Sequence, residues 1–299
     1  MFFQIKNIEK DEAKVLAPTI IYGLERSLSF LRVMEDTISI DDSFKLFPYI
    51  IAKGVDKDSI KIKIYGKSKN FYFFEISIKI SGYEDDYLEV EDLFLFVMPK
   101  DIANNKEKVA LFMFLNLLGT EIINDVETKK RDYNIENQHF LKLIGLIYGY
   151  SLFNNIDIKS NKDVLSVLLN ILDLFGFSKI DDELNNMNKL GIKNYLNFAD
   201  YINNMYYMLI SSNILLDIIQ NYDIDNIKKF YIESKALPHI NHRKISKNKE
   251  YFENQAKLLL NKIKKNYKEN EIDLLESLIY IKEEYKSLLE RINNFIAKR

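Results

Sequence analysis

The chain has 299 residues, 47% of them hydrophobic and 29% charged, with a net charge of −2; that balance builds a sizeable core and excludes a mainly disordered chain. Nine glycines and four prolines are too few for a strand-rich sandwich with a turn roughly every ten residues, so helix should dominate. The absence of cysteine excludes disulfides, thiolate metal sites and thiol nucleophiles together.

Abundant Ile, Asn, Lys, Tyr and Phe read as the codon bias of an AT-rich genome. Met1 to Lys6 is too short and too soon charged for a signal peptide. No stretch reaches about 18 uncharged apolar residues, so no spanning helix is expected, and the expected location is cytoplasmic.

In chain order, residues 2–8 read as a short strand. Residues 11–34 read as a helix opened by the carboxylates Asp11 and Glu12, which suit a helix N-terminus. Pro18 should start that helix late or kink it. A short helix follows from the cap Asp41-Asp42-Ser43 to Ile50. After Gly54 the period changes from about 3.6 to 2. Ile60, Ile62 and Ile64, then Tyr72, Phe74, Ile76, Ile78 and Ile80, then Tyr87 to Met98 give three strands joined by short polar turns. That is an antiparallel meander with one covered face and one wet face. Pro99 ends it.

Everything after Pro99 reads as helix. Residues 106–124 are apolar nearly all round, which predicts a central position. Further helices are expected over 135–153, 164–175 with a Ser160/Asn161 cap and a Gly176 stop, 181–190, 195–222 and 225–234. A basic stretch, 235–249, leads to two helices, 250–267 and 271–297. The aromatic and Met face at Tyr201, Met205, Tyr206 and Met208 reads as core.

The strongest pattern is the last one. Leu274, Leu278, Ile281, Tyr285, Leu288, Ile292 and Phe295 alternate steps of four and three, keeping one apolar stripe on a single helix face. Phe252, Ala256, Leu259 and Ile263 repeat the rhythm, and the turn Lys268-Glu269-Asn270 folds one helix back on the other as an αα-hairpin with coiled-coil-like seams. Leu275, Leu289 and Ile296 widen the stripe, so a third helix must cover it. That helix comes either from the chain's own body or from a partner.

Charge is uneven along the chain. Residues 1–100 carry a net of −3 and residues 101–234 a net of −5, whereas residues 235–299 carry +6. Lys235, Arg243, Lys244, Lys247 and Lys249 lie in one stretch without a carboxylate, a pattern that contacts phosphates in a salt-sensitive, sequence-independent way. No aromatics interleave for base stacking, and a solvated basic linker is the commoner explanation of such a stretch.

His239-x-x-His242 supplies two metal-ligand side chains where three or four are needed, so no metal is assigned. Glu84, Asp85, Asp86, Glu89, Glu91 and Asp92 form the most enzyme-like cluster, but their spacing matches no EF-hand loop. A charged turn accounts for them. Neither a G-x-G-x-x-G nor a Walker loop nor a G-x-S-x-G elbow occurs, and no cofactor is implied.

The reading is therefore α+β, mainly α: residues 1–100 with a three- to four-stranded antiparallel sheet and covering helices, a helical part over 101–234, and a basic linker with a helical hairpin over 235–299. The expected function is a non-enzymatic protein–protein interaction or scaffold protein acting through helical surfaces, with a protein partner or self-association and no membrane. The alternatives are an accessory nucleic-acid-binding protein using residues 235–249 and a metal-dependent hydrolase using the acidic loop 84–92.

Overall fold

The computed structural model describes residues 2–5, 7–38, 60–80, 90–128, 135–190, 199–221 and 272–298. They form strand β1 (Phe2–Ile5), helix α1 (Lys10–Ile38), strands β2 (Lys61–Lys67), β3 (Phe71–Ile80) and β4 (Val90–Pro99), and helices α2 (Lys106–Thr128), α3 (Ile135–Phe153), α4 (Asn161–Leu174), α5 (Ile180–Leu190), α6 (Ala199–Asn221) and α7 (Ile272–Lys298). The fold is α+β and mainly helical. It divides into two compact units, Met1–Thr128 and Lys129–Arg299. The sequence boundary at Pro99 and the boundary between units therefore differ by one helix, because α2 packs on α1 and β4.

In the first unit the sheet order is β1-β2-β3-β4. β2, β3 and β4 make the expected antiparallel meander, and β1 adds to its edge in parallel, so the sheet is mixed. Ile62, Ile64, Phe74, Ile76, Phe94, Phe96 and Met98 are buried, the alternation that period 2 dictates for a covered face. Phe74 and Phe96 face each other across the β3/β4 pair and stack with centroids 4.9 Å apart. Phe96 meets Phe112 of α2 at 6.3 Å.

The opposite face is less wet than its alternation predicts. Phe71 and Phe73 are buried there, on β3, which lies between two strands. Lys63 and Glu75 pair at 3.1 Å on the same face, and Leu95 is exposed.

α1 buries Ala13, Leu16, Ile20, Leu24, Leu28 and Leu31, one stripe at helical spacing. Pro18 sits inside this helix without ending it, so the helix does not start late. The carbonyl that loses its N–H partner is that of Lys14, one turn back, and Lys14 is exposed, so water can take its place. Thr19 returns a side-chain hydrogen bond to the Val15 carbonyl at 3.1 Å.

α1 crosses α2 closely at Gly23, where an added Cβ would stand 2.7 Å from Met113 Sδ and 2.9 Å from Val109 Cγ1. Ser27 Oγ lies 2.5 Å from the Gly23 carbonyl and 2.8 Å from the Ala110 carbonyl, so its hydroxyl bridges the helices. Glu12 ties α1 to the sheet, accepting from Lys67 Nζ and from the Tyr72 hydroxyl at 2.7 Å. Burial pushes the Glu12 carboxyl up, but the hydrogen bonds from Lys67 and Tyr72 outweigh it and hold the group below its ordinary value.

In the second unit α6 is central, packing against α3, α4 and α7. Its residues Ile202, Met205, Tyr206, Tyr207, Leu209, Leu215, Leu216 and Ile219 are buried on several faces, as an all-round apolar helix requires. α4 opens with a capping box: Ser160 accepts from the Asp163 N–H and the Asp163 carboxylate accepts from the Ser160 N–H, satisfying two otherwise orphaned donors. Gly176, at φ 83°, supplies the left-handed turn that stops the chain after α4. The hydroxyl of buried Tyr201 donates to the Phe175 carbonyl at the same corner.

Candidate functional site

α7 carries the heptad stripe, and its sequence explains why it is one helix. The run from Ile272 to Lys298 contains no Gly or Pro and has an apolar residue every three or four positions. Leu278, Ile281, Leu288 and Ile292 are each fully buried at 0% exposure. Tyr285 and Phe295 are half-buried. Leu274 lies in the first turn of the helix.

The stripe packs on α5 and α6 of the same unit. The Tyr285 ring lies 5.3 Å from that of Phe177, and the Tyr280 ring 6.1 Å from that of Tyr206. Burial, with Asp173 nearby, pushes the Tyr285 hydroxyl up to about 12. At least this part of the seam is therefore covered by the chain's own helices.

Charged groups clamp the same helix at both ends of its contact. Lys282 pairs with Asp181 in the first turn of α5, and Lys286 Nζ stands 3.7 Å from the other Asp181 oxygen. The Lys282 hydrogen bond is the main reason the Asp181 carboxyl is held below its usual range. Arg291 spans two residues of α6, donating to Asn213 Oδ1 at 2.5 Å and to Asp217 Oδ1 at 2.6 Å. This fork matches the planar guanidinium to two acceptors one helical turn apart.

The stripe is wider than the surface α5 and α6 cover. Ile279 is 47% exposed, and Leu289, Phe295 and Ile296 keep part of their surface accessible. The accessible flank of α7 follows the extra apolar positions, Leu289 and Ile296, that widened the stripe in the sequence.

The other sequence candidates fall elsewhere. The basic residues Lys235, Arg243, Lys244, Lys247 and Lys249, the pair His239 and His242, and the helix expected over 250–267 all lie outside the described residues. So do Glu84, Asp85, Asp86 and Glu89 of the acidic loop. Glu91 and Asp92 belong to β4. Among the described residues no three His, Asp or Glu side chains gather to hold a metal ion. No described helix is long and apolar enough to cross a membrane.

One polar constellation escaped the sequence reading. His139 and Lys142, one turn apart on α3, meet Tyr207 and Asn204, one turn apart on α6. The His139 and Tyr207 rings stack face to face at 3.8 Å with planes 1° apart. Lys142 Nζ donates to Asn204 Oδ1 at 3.0 Å. Only the i, i+3 spacing of His139 and Lys142 was visible in advance, and the partner helix, some sixty residues later, gives no local sign of the pairing.

Compared with family models, with curated proteins and with solved structures, the chain finds no match.

Proposed function

We propose that this chain is a non-enzymatic protein–protein interaction or scaffold protein that works through helical surfaces, with the flank of α7 as its contact surface. The observation that carries this reading is the breadth of the α7 stripe. Leu278, Ile281, Leu288 and Ile292 are consumed by packing within the unit, while Leu289 and Ile296 on one edge of the stripe and Phe295 on the other leave apolar surface open, and Ile279 is exposed further round the helix. The edge formed by Leu289 and Ile296, bordered by Lys286, Glu290 and Asn293, has the make-up of a small interface core with a polar rim.

The proposed binding mode is helix against helix, with Leu289 and Ile296, seven residues apart on one edge of the helix, as the anchors. Self-association is the simplest form. Two copies of one strip make a symmetric contact in which the same residues serve both sides.

The test compares the full chain with a variant carrying Ile279→Glu, Leu289→Glu and Ile296→Glu, using size-exclusion chromatography with light scattering. The full chain is expected to show a mass above the 35.4 kDa of one chain. The variant should return to that mass with its far-ultraviolet circular dichroism unchanged. A monomer in both cases, with identical cross-linked products from cells of the native host, overturns the reading.

A further inference from the structure

The α3–α6 contact differs from the other polar contacts of the second unit in what it gives its cation. Lys282 and Arg291 each meet a carboxylate, Asp181 and Asp217. Lys142 meets an amide instead: its Nζ donates to Asn204 Oδ1 at 3.0 Å. No ion pair joins it to a carboxylate among the described residues, and His139 lies one turn away on the same helix.

His139 is locked by its stack on Tyr207 at 3.8 Å. Burial, and then the neighbouring Lys142 charge, pull its imidazole down to about 3, so it stays neutral and offers the amine no counter-charge. Lys142 is itself partly accessible. Burial of its ammonium without a counter-ion lowers it to about 8, the direction that desolvation dictates for a cation.

An amine held this way has the features of a nucleophile. It is oriented by one acceptor, is reachable from solvent, and is free of the carboxylate that would keep it protonated. We infer that Lys142 is a covalent modification site whose ε-amine takes an acyl group from an activated acyl donor of the anhydride or acyl-phosphate class, set up by the cluster His139, Asn204 and Tyr207. In that step the Nζ lone pair forms the new C–N bond at the acyl carbon. The bond from that carbon to the leaving oxygen breaks, and the carboxylate or phosphate departs with its electron pair. The proton lost from nitrogen passes to water. The product amide has no charge, so the α3–α6 contact loses a cation at the moment of modification.

Trace labelling of the full chain with acetic anhydride over pH 6–11, followed by proteolysis and mass spectrometry of each lysine peptide, tests this. The same labelling in urea gives every lysine its unfolded reference, with a midpoint of about 10.4. In the folded chain Lys142 is expected to label with a midpoint near 8. At pH 7 its neutral fraction is then roughly two hundred times that in urea, so even with the weaker nucleophilicity of a less basic amine it should label at least on the order of tenfold faster. Lys142→Arg should remove the fast-labelling peptide.

Asn204→Asp places a carboxylate at the amine and should slow labelling at pH 7 severalfold, whereas Asn204→Ala should leave it fast. Folding of each variant is checked by circular dichroism, and Asn204 is exposed, so neither change empties the core. Labelling of folded Lys142 no faster than in urea overturns the proposal. So does an Asn204→Asp variant that labels at the same rate as the parent chain.

Discussion

The α1–α2 contact of the first unit and the α6–α7 contact of the second both join long helices, yet they are specified in opposite ways. The first depends on what is missing. Gly23 lets α2 approach until Met113 and Val109 occupy the space where a Cβ would stand, and Ser27 then reaches the Ala110 carbonyl directly. The second depends on what is present: four fully buried aliphatics, with a ring contact beside them and Arg291 reaching Asn213 and Asp217 at the margin. A contact set by close backbone approach tolerates almost no added volume. One set by long side chains can lose a single partner and keep its register.

The sharpest way to break that comparison is to add volume at the close crossing. Gly23→Leu forces four carbons into space already held by Val109 and Met113, both 0% exposed. The expected loss of stability is roughly 3 kcal/mol or more, at the upper end for overpacking. Urea unfolding followed by circular dichroism and by tyrosine fluorescence measures it. A loss below about 1 kcal/mol, inside the ordinary range for surface changes, would mean that α1 and α2 slide apart freely and that the crossing is not set by Gly23.

What could be read from the sequence follows from the range of the physics involved. The α7 stripe was legible because a heptad is a local property. Leu278, Ile281, Leu288 and Ile292 identify themselves by spacing, and burial then follows from any neighbour. The meander was legible for the same reason, and so was Ser160 as a cap of α4, although its partner Asp163 was not singled out. The late start offered at Pro18 failed because the local rule omits context: the carbonyl it orphans belongs to an exposed residue, and the apolar stripe continues on both sides of it.

Gly23 and the pairing of His139 and Lys142 with Tyr207 and Asn204 were not legible at all. Their meaning depends on a second helix far along the chain. The parallel pairing of β1 with β2 is hidden likewise, since a four-residue strand does not show which edge it will join. Of the candidate interaction seam, the helix and its apolar face were legible. The share of that face taken by α5 and α6 was not.

A smaller effect separates the two units by pH. His139 is held near 3, against an ordinary value of 6.5, chiefly by burial. Between those values the unfolded chain binds a proton that the folded chain refuses. The sign follows: stability is full above about 6.5 and falls as the pH drops toward 3. His139→Phe keeps a flat ring against Tyr207 and removes the titration. Relative to the parent chain it should retain about 2 kcal/mol more of its neutral-pH stability at pH 4, a figure reduced from the full shift because the ring is partly accessible. Urea midpoints at pH 7 and pH 4 for both chains give the difference. Parallel curves would show that the acid sensitivity lies elsewhere, in the carboxylates Glu12, Asp163 and Asp181, which are held low in their own contacts.

The smallest expected effect tests whether the α6–α7 margin is as replaceable as the comparison claims. Arg291→Met keeps most of the packed stem and deletes only the guanidinium that joins Asn213 to Asp217. The side chains of Arg291 and Asp217 are 35% and 25% exposed, so water already screens the pair and solvates Asp217 once it is left alone. The loss should be about 1 kcal/mol, the scale of a partly exposed ion pair with good geometry. It should shrink as salt is raised to about 0.5 M, because the Debye length falls well below its value of about 10 Å at 0.1 M. The Gly23→Leu loss is steric and should not move with salt. A loss at Arg291 of 3 kcal/mol or more that ignores salt would mark a buried pair left unmatched, and the α6–α7 contact would then be as intolerant of change as the α1–α2 crossing.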